Sequence, residues 1–66
     1  MGSPIRAERQ RRGWSQTRLT MKTGIAQSDI SAIESGKRYC PPAWRRRLAL
    51  ALEVSEAELF PDVERA

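Results

Sequence analysis

The stretch Trp14-Ser15-Gln16-Thr17-Arg18-Leu19-Thr20-Met21-Lys22-Thr23-Gly24-Ile25-Ala26-Gln27-Ser28-Asp29-Ile30-Ser31-Ala32-Ile33-Glu34-Ser35-Gly36 decides the fold of this chain. Ser15 is a good N-cap, and Trp14 and Leu19 flank it at the N′ and N4 positions of a hydrophobic staple. A helix therefore starts after Ser15, runs to about Thr23 and stops at Gly24. Ile25 and Ile30 repeat the staple spacing around Ala26, so a second helix follows almost at once. Ala26 is a poor cap, about 1 kcal/mol worse than Ser or Thr. Asp29 in the first turn offsets part of that through the helix dipole. Ile30 and Ile33 mark the buried stripe, and Gly36 closes the helix. A glycine inside the short link Thr23-Gly24-Ile25-Ala26 allows the two helices to cross sharply.

Working outward, Ser3-Pro4 reads as an N-cap followed by a first helical residue. The run from Ile5 to Arg12 has no breaker, and Gly13 stops it at C′. Its apolar face is thin, so this helix is read from its ends. On the other side, Lys37 to Cys40 is a loop, and Pro41-Pro42 opens a fourth helix with Trp44, Leu48, Ala51 and Leu52 at helical spacing. Ser55-Glu56-Ala57-Glu58 is a capping box with Val54 and Leu59 as its staple. A short fifth helix follows and ends at Phe60-Pro61, and Asp62 to Ala66 reads as a frayed tail. No β-branched alternating run exists. The expectation is an all-α, five-helix bundle forming a single domain over residues 1–66, without repeats or internal linkers.

Sixty-six residues hold one domain, and a domain this small buries only ~60% of the surface its unfolded chain exposes. One cysteine and no histidine exclude an intramolecular disulfide and a Cys/His zinc site. The net charge of +4 hides an asymmetry: residues 1–47 carry eleven basic and three acidic side chains, while residues 48–66 carry one basic and five acidic. A basic body calls for a polyanion, nucleic acid being the commonest and an anionic membrane surface the alternative. The longest apolar run, Leu48 to Leu52, is far short of the ~20 residues of a membrane-spanning helix. Arg6, Glu8 and Arg9 stand where the apolar part of a secretory signal would begin. With the free Cys40, these features point to the cytoplasm. Met1-Gly2-Ser3 reads equally as native or as a cloning remnant.

Catalysis has little to work with. No histidine is available as a base, and Cys40, between Tyr39 and Pro41, reads as a half-buried loop thiol. Gly36-Lys37 lacks the upstream glycine and strand of a phosphate loop. Glu53, Glu56, Glu58, Asp62 and Glu64 are spread over helix ends and tail as caps and solvated charges, not as a metal cage. No enzyme activity, cofactor, metal or small-molecule ligand is expected. The informative feature is the third helix. One edge is apolar (Ile25, Ile30, Ile33), and the other is small and polar (Gln27, Ser28, Asp29, Ser31, Ala32). Such an edge fits into a DNA major groove, although a plain surface helix has the same pattern. Asp29 reads either as an acceptor for a cytosine amino group or as a helix cap. Arg45-Arg46-Arg47 reads either as a solvated face or as contacts to flanking phosphates or a second subunit.

Over Arg9 to Leu59, about three quarters of its length, the chain resembles the Cro/repressor-type (XRE-like) helix-turn-helix family. The matching residues are Arg9, Gly13-Trp14-Ser15-Gln16, Leu19-Thr20, Gly24-Ile25, Ile30-Ser31-Ala32-Ile33-Glu34-Ser35-Gly36-Lys37-Arg38 and Leu48-Ala49-Leu50-Ala51-Leu52-Glu53-Val54-Ser55. The resemblance implies a five-helix bundle that binds double-stranded operator DNA, usually as a homodimer, and so a transcriptional regulator such as a repressor. It implies phosphate contacts from Ser15, Gln16, Lys37 and Arg38, and base reading by Gln27, Ser28, Asp29 and Ser31. It also implies a structural ion pair between Arg9 and Glu34. The family's dimer surface lies near Trp44 and Phe60, each of which reads as core or as dimer contact. Three residues depart from the pattern: Thr20 replaces a small alanine where the second and third helices cross, Ala26 a Ser or Thr cap, and Glu53 a glycine after the fourth helix. The rival class is a protein-binding helix-turn-helix module, antitoxin-like or docking a polymerase subunit, without sequence-specific readout. An RNA-binding peptide is a weaker rival, because Trp14 and Trp44 are better explained by packing than by base stacking.

Overall fold

Five helices follow one another in the computed structural model, which describes residues 3–61: α1 (Pro4–Arg11), α2 (Gln16–Thr23), α3 (Gln27–Glu34), α4 (Pro42–Leu52) and α5 (Glu56–Leu59). The expected frayed tail from Asp62 lies outside the described residues. The caps are those the sequence implies. The hydroxyl oxygens of Ser3, Ser15 and Ser55 accept from the backbone N–H of Arg6, Arg18 and Glu58, and Glu58 reaches back to the Ser55 N–H at 2.9 Å. Ala26 makes no side-chain cap bond.

α2 packs against α3 and α4, α5 packs on α4, and α1 lies across α3, α4 and α5. Leu19, Ile25, Ile30, Leu48 and Leu52 are fully buried where these helices meet, with Ile5, Ile33, Cys40, Ala49 and Leu59 around them. Leu19, Ile30 and Leu59 are the inner members of the three staples, so the residues that start α2, α3 and α5 also fill the core. Trp14, Trp44, Ala51, Val54 and Phe60 are half-buried against it. The reading of one side chain changes. Cys40 is buried outright, because the loop turns it inward beside Ile33. Within Leu48 to Leu52, Leu50 is turned to solvent at 73% exposure, the position opposite the buried face of a 3.6-residue period. Among the described residues, no helix is long and apolar enough to cross a membrane.

Three helices end in the same way. After α1 the N–H of Trp14 reaches Arg9 O and that of Gly13 reaches Gln10 O, both at 3.0 Å. After α3 Lys37 N reaches Ala32 O at 2.8 Å and Gly36 N reaches Ile33 O at 3.1 Å. After α4 Val54 N reaches Ala49 O at 3.1 Å and Glu53 N reaches Leu50 O at 3.3 Å. This paired pattern is the Schellman motif, which needs a left-handed residue at its hinge. Gly13 and Gly36 supply it at φ 71° and 77°; after α4 it is Glu53, at φ 58°. A side chain there costs about 1 kcal/mol relative to glycine. A second departure, Thr20, is also not neutral: its hydroxyl is buried without a hydrogen-bond partner among the described residues. Glu53→Gly should therefore stabilise the protein by roughly 1 kcal/mol and raise Tm by about 4–8 °C, with the helical spectrum unchanged. A thermal melt followed by circular dichroism checks this, and an unchanged or lower Tm would mean that Glu53 is not strained.

Candidate nucleic-acid interface

The α2–α3 link is built by one side chain that the sequence did not single out. Buried Thr23 donates its hydroxyl to Leu19 O at 2.8 Å and accepts from Ile25 N at 3.2 Å. The same hydroxyl thus closes the last turn of α2 and holds the first residue beyond Gly24. Gly24, at φ 76°, makes the bend itself and donates to Thr20 O at 2.8 Å.

At the far end of α3 the Glu34 carboxylate has no side-chain exposure at all. Arg9 grips it with one edge of its guanidinium, Nε to Oε2 at 2.8 Å and Nη2 to Oε1 at 3.0 Å, and uses Nη1 to donate to Trp14 O at 2.8 Å. Gln16 Nε2 adds a bond to Oε1 at 3.2 Å and Arg6 Nε another at 3.4 Å. Burial would push the Glu34 carboxyl up, but the hydrogen bonds from Arg9, Gln16 and Arg6 outweigh it and hold the group below the usual carboxylate range. One carboxylate therefore ties together α1, the α1–α2 turn, the first residue of α2 and the last of α3. The expected Arg9 and Glu34 are in contact; Arg6 and Gln16 complete the cluster, and only the spacing of Arg6 and Arg9 on one helix face hinted at it.

Between these two anchors, α3 presents Gln27, Ser28 and Ser31 to solvent. Thr17 donates its hydroxyl to Gln27 Oε1 at 3.4 Å, so the first side chain of α3 is steadied from α2. Ser15 and Lys37 are exposed on either side of the helix pair, and Gln16 is half-buried through its bond to Glu34. Asp29 is half-buried and pairs with Arg38, Oδ1 to Nε at 3.2 Å, a partner that neither sequence reading of this residue named. Arg38 also donates Nη1 to Tyr39 O at 2.8 Å and lies over the Trp44 indole, 4.7 Å from its centroid. Trp44 is thus partly used within its own chain, while Phe60 lines a groove of about 310 Å³ with Ile5, Ile33, Tyr39 and Leu59.

The remaining arginines divide. Arg12 donates to Glu8 and, through Nη2, to Leu52 O, which closes the C-terminal end of α4 against α1. Arg45 turns in to donate to Cys40 O at 3.0 Å, whereas Arg46 and Arg47 remain on the exposed face. Burial raises the Cys40 thiol against the pull of Arg45 and Arg38, so it stays protonated and is a poor nucleophile. Among the described residues no group of acids, Cys or His is placed to hold a metal ion.

Residues 1–60 match the family described as a helix-turn-helix domain, and the chain belongs to that family. It is similar to the competence pilus inhibition repressor of Acinetobacter baylyi, with 33% identity over 60 residues, 91% of this chain and 54% of that protein. It is also similar to the HTH-type transcriptional regulator SlrR of Bacillus subtilis, with 34% identity over 61 residues, 91% of this chain and 40% of that protein. The chain spans about half the length, or less, of the curated relatives it matches. No solved structure matches it with significance.

Two outcomes follow from the Glu34 cluster. Arg9→Ala strands a buried carboxylate and should cost about 3–5 kcal/mol. Arg11→Ala removes only an exposed partner of Glu8 and should cost under about 1 kcal/mol; urea melts of both variants measure the difference, and matching midpoints would exclude the buried role of Arg9. The second concerns acid. A carboxylate whose folded pKa lies below its unfolded value contributes stability that is present above about pH 4.3 and lost as pH falls through the lower folded value. Wild type should therefore lose stability below about pH 4 more steeply than Glu34→Gln, as read from urea midpoints across pH 3–6.

Proposed function

We propose that this chain is the DNA-binding unit of a transcriptional regulator that occupies a two-fold symmetric operator as a homodimer. The observation that carries the reading is an α3 whose solvent face is Gln27, Ser28 and Ser31 while its two ends are anchored, by Thr23 and Gly24 at one side and by Glu34 at the other. Side chains on a rigid short helix can enter a major groove and meet base edges without a large ordering cost. Its relatives are named as a repressor and as a transcriptional regulator, which supports the same role here.

In this reading Gln27 is the principal base contact, with Ser28 and Ser31 beside it, and Asp29 stands at the edge of the same surface. Gln27 is suited to bidentate recognition of adenine, and Thr17 holds its amide in place. Ser15 and Gln16 at the start of α2, with Lys37 and Arg38 past α3, straddle the groove and bond phosphates. Trp44 and Phe60 supply apolar area for pairing two copies. The protein acts by occupancy, not by chemistry, in the cytoplasm.

Selection from random duplexes should yield inverted half-sites with centres about ten base pairs apart, the spacing that places two α3 helices ~34 Å apart on one face of DNA. On the selected site, Gln27→Ala should weaken binding by ~1–3 kcal/mol more than on a scrambled duplex. Lys37→Ala should weaken both duplexes alike and reduce the salt slope by about one. No enriched sequence would favour the protein-docking module, and equal losses for Gln27→Ala would move specificity to other residues.

A further inference from the structure

An acid in the first turn of α3 is out of place on a surface meant for a polyanion, unless something cancels its charge. Asp29 has such a partner. The Arg38 guanidinium is engaged on three sides: Nε pairs with Asp29 Oδ1 at 3.2 Å, Nη1 donates to Tyr39 O at 2.8 Å, and one face covers the Trp44 indole at 4.7 Å. These contacts join the first turn of α3, the loop after it and the first turn of α4. The backbones of α3 and α4 are not closely packed against each other, and Arg38 links their first turns on the surface. A planar guanidinium fits this task, since its edge can form an ion pair with a carboxylate while its face stacks on an aromatic ring. Among the described residues Nη2 of Arg38 has no hydrogen-bond partner, and 41% of the side chain remains exposed.

We propose that Asp29 is a positioning residue and not a base reader: it latches Arg38 against Trp44, so that Arg38 meets the DNA backbone as a preorganised cation with its free Nη2 edge. The proposal rests on the DNA-binding reading above and refines it. The carboxylate sits on the reading helix because the latch needs it there, and its charge is neutralised by the residue it positions. Arg38 enters the complex with its rotamers already restricted, which saves ordering cost on binding. Lysine cannot replace it, because an ammonium point charge offers no flat face and no second edge.

The test has two arms on the full chain. In the free protein, NMR should place the Arg38 Hγ and Hδ protons upfield of their random-coil positions because of the Trp44 ring current. Asp29→Asn should move them most of the way back, and Trp44→Leu should abolish the shift. In the DNA arm, Asp29→Asn should lower affinity for the selected and a scrambled duplex alike, by about three- to tenfold, the size of one hydrogen bond. The selected sequence should not change. Arg38→Gln should lose as much, and the double variant no more than either single one, as coupled residues require. Arg38→Lys should not restore binding. An unchanged Arg38 shift in Asp29→Asn overturns the latch, and so does an altered base preference or additive losses. If wild type binds no duplex, the DNA-binding reading fails by itself, and the NMR arm still decides whether Asp29 holds Arg38 on Trp44.

Discussion

A carboxylate fully withdrawn from water is the constraint around which this small protein is arranged. Left unpaired, Glu34 would cost several kcal/mol or take up a proton. Arg9 meets both its oxygens in a fork-to-fork pair, the strongest geometry open to the two groups, and its remaining nitrogen binds the carbonyl of Trp14. With the bond from Gln16, these contacts fix the angle of α1, the turn into α2, the first side chain of α2 and the C-terminal end of α3. A buried pair of this kind adds less net stability than an apolar replacement would. Its contribution here is one defined position for α3, in a bundle whose apolar core is too small to specify that alone.

The basic excess is likewise divided by burial and not by sequence position. Arg9 is wholly internal, Arg6 leans on Glu34, Arg12 closes α4, Arg45 holds the loop at Cys40, and Arg38 is shared between Asp29 and Trp44. Lys22 lies over Trp14, 5.2 Å from its ring. The exposed cations with no such tie are Arg18, Lys37, Arg46 and Arg47 among the described residues. A net charge read from composition therefore overstates what is free to meet phosphate. Just past α3 the two kinds stand side by side, Lys37 free and Arg38 held by Asp29, Tyr39 O and Trp44.

Of the three departures, Ala26 costs a missing cap bond, whereas Thr20 and Glu53 each add atoms that the local structure does not accommodate freely. Thr20 buries a hydroxyl that has no hydrogen-bond partner among the described residues, and Glu53 puts a Cβ at a left-handed hinge. Both spend stability in a domain that has little to spare.

Helix ends, staples and glycine hinges were legible from the amino-acid sequence because each depends on residues within about five positions of one another. Ser15 with Leu19, Gly24, Gly36 and the Ser55–Glu58 box needed no tertiary information, and they already place five helices and a sharp crossing. The Arg9–Glu34 contact was reached only through a family resemblance, since nothing in the spacing selects Arg9 over Arg6, Arg11 or Arg12 as the partner of a given acid. Asp29 with Arg38 and Trp44, Gln16 with Glu34, and Arg12 with Leu52 O were decided by the tertiary structure alone. Long charged side chains reach many candidates with similar energies in water, and the choice among them is made only when packing brings one partner close and removes the solvent that would otherwise satisfy it.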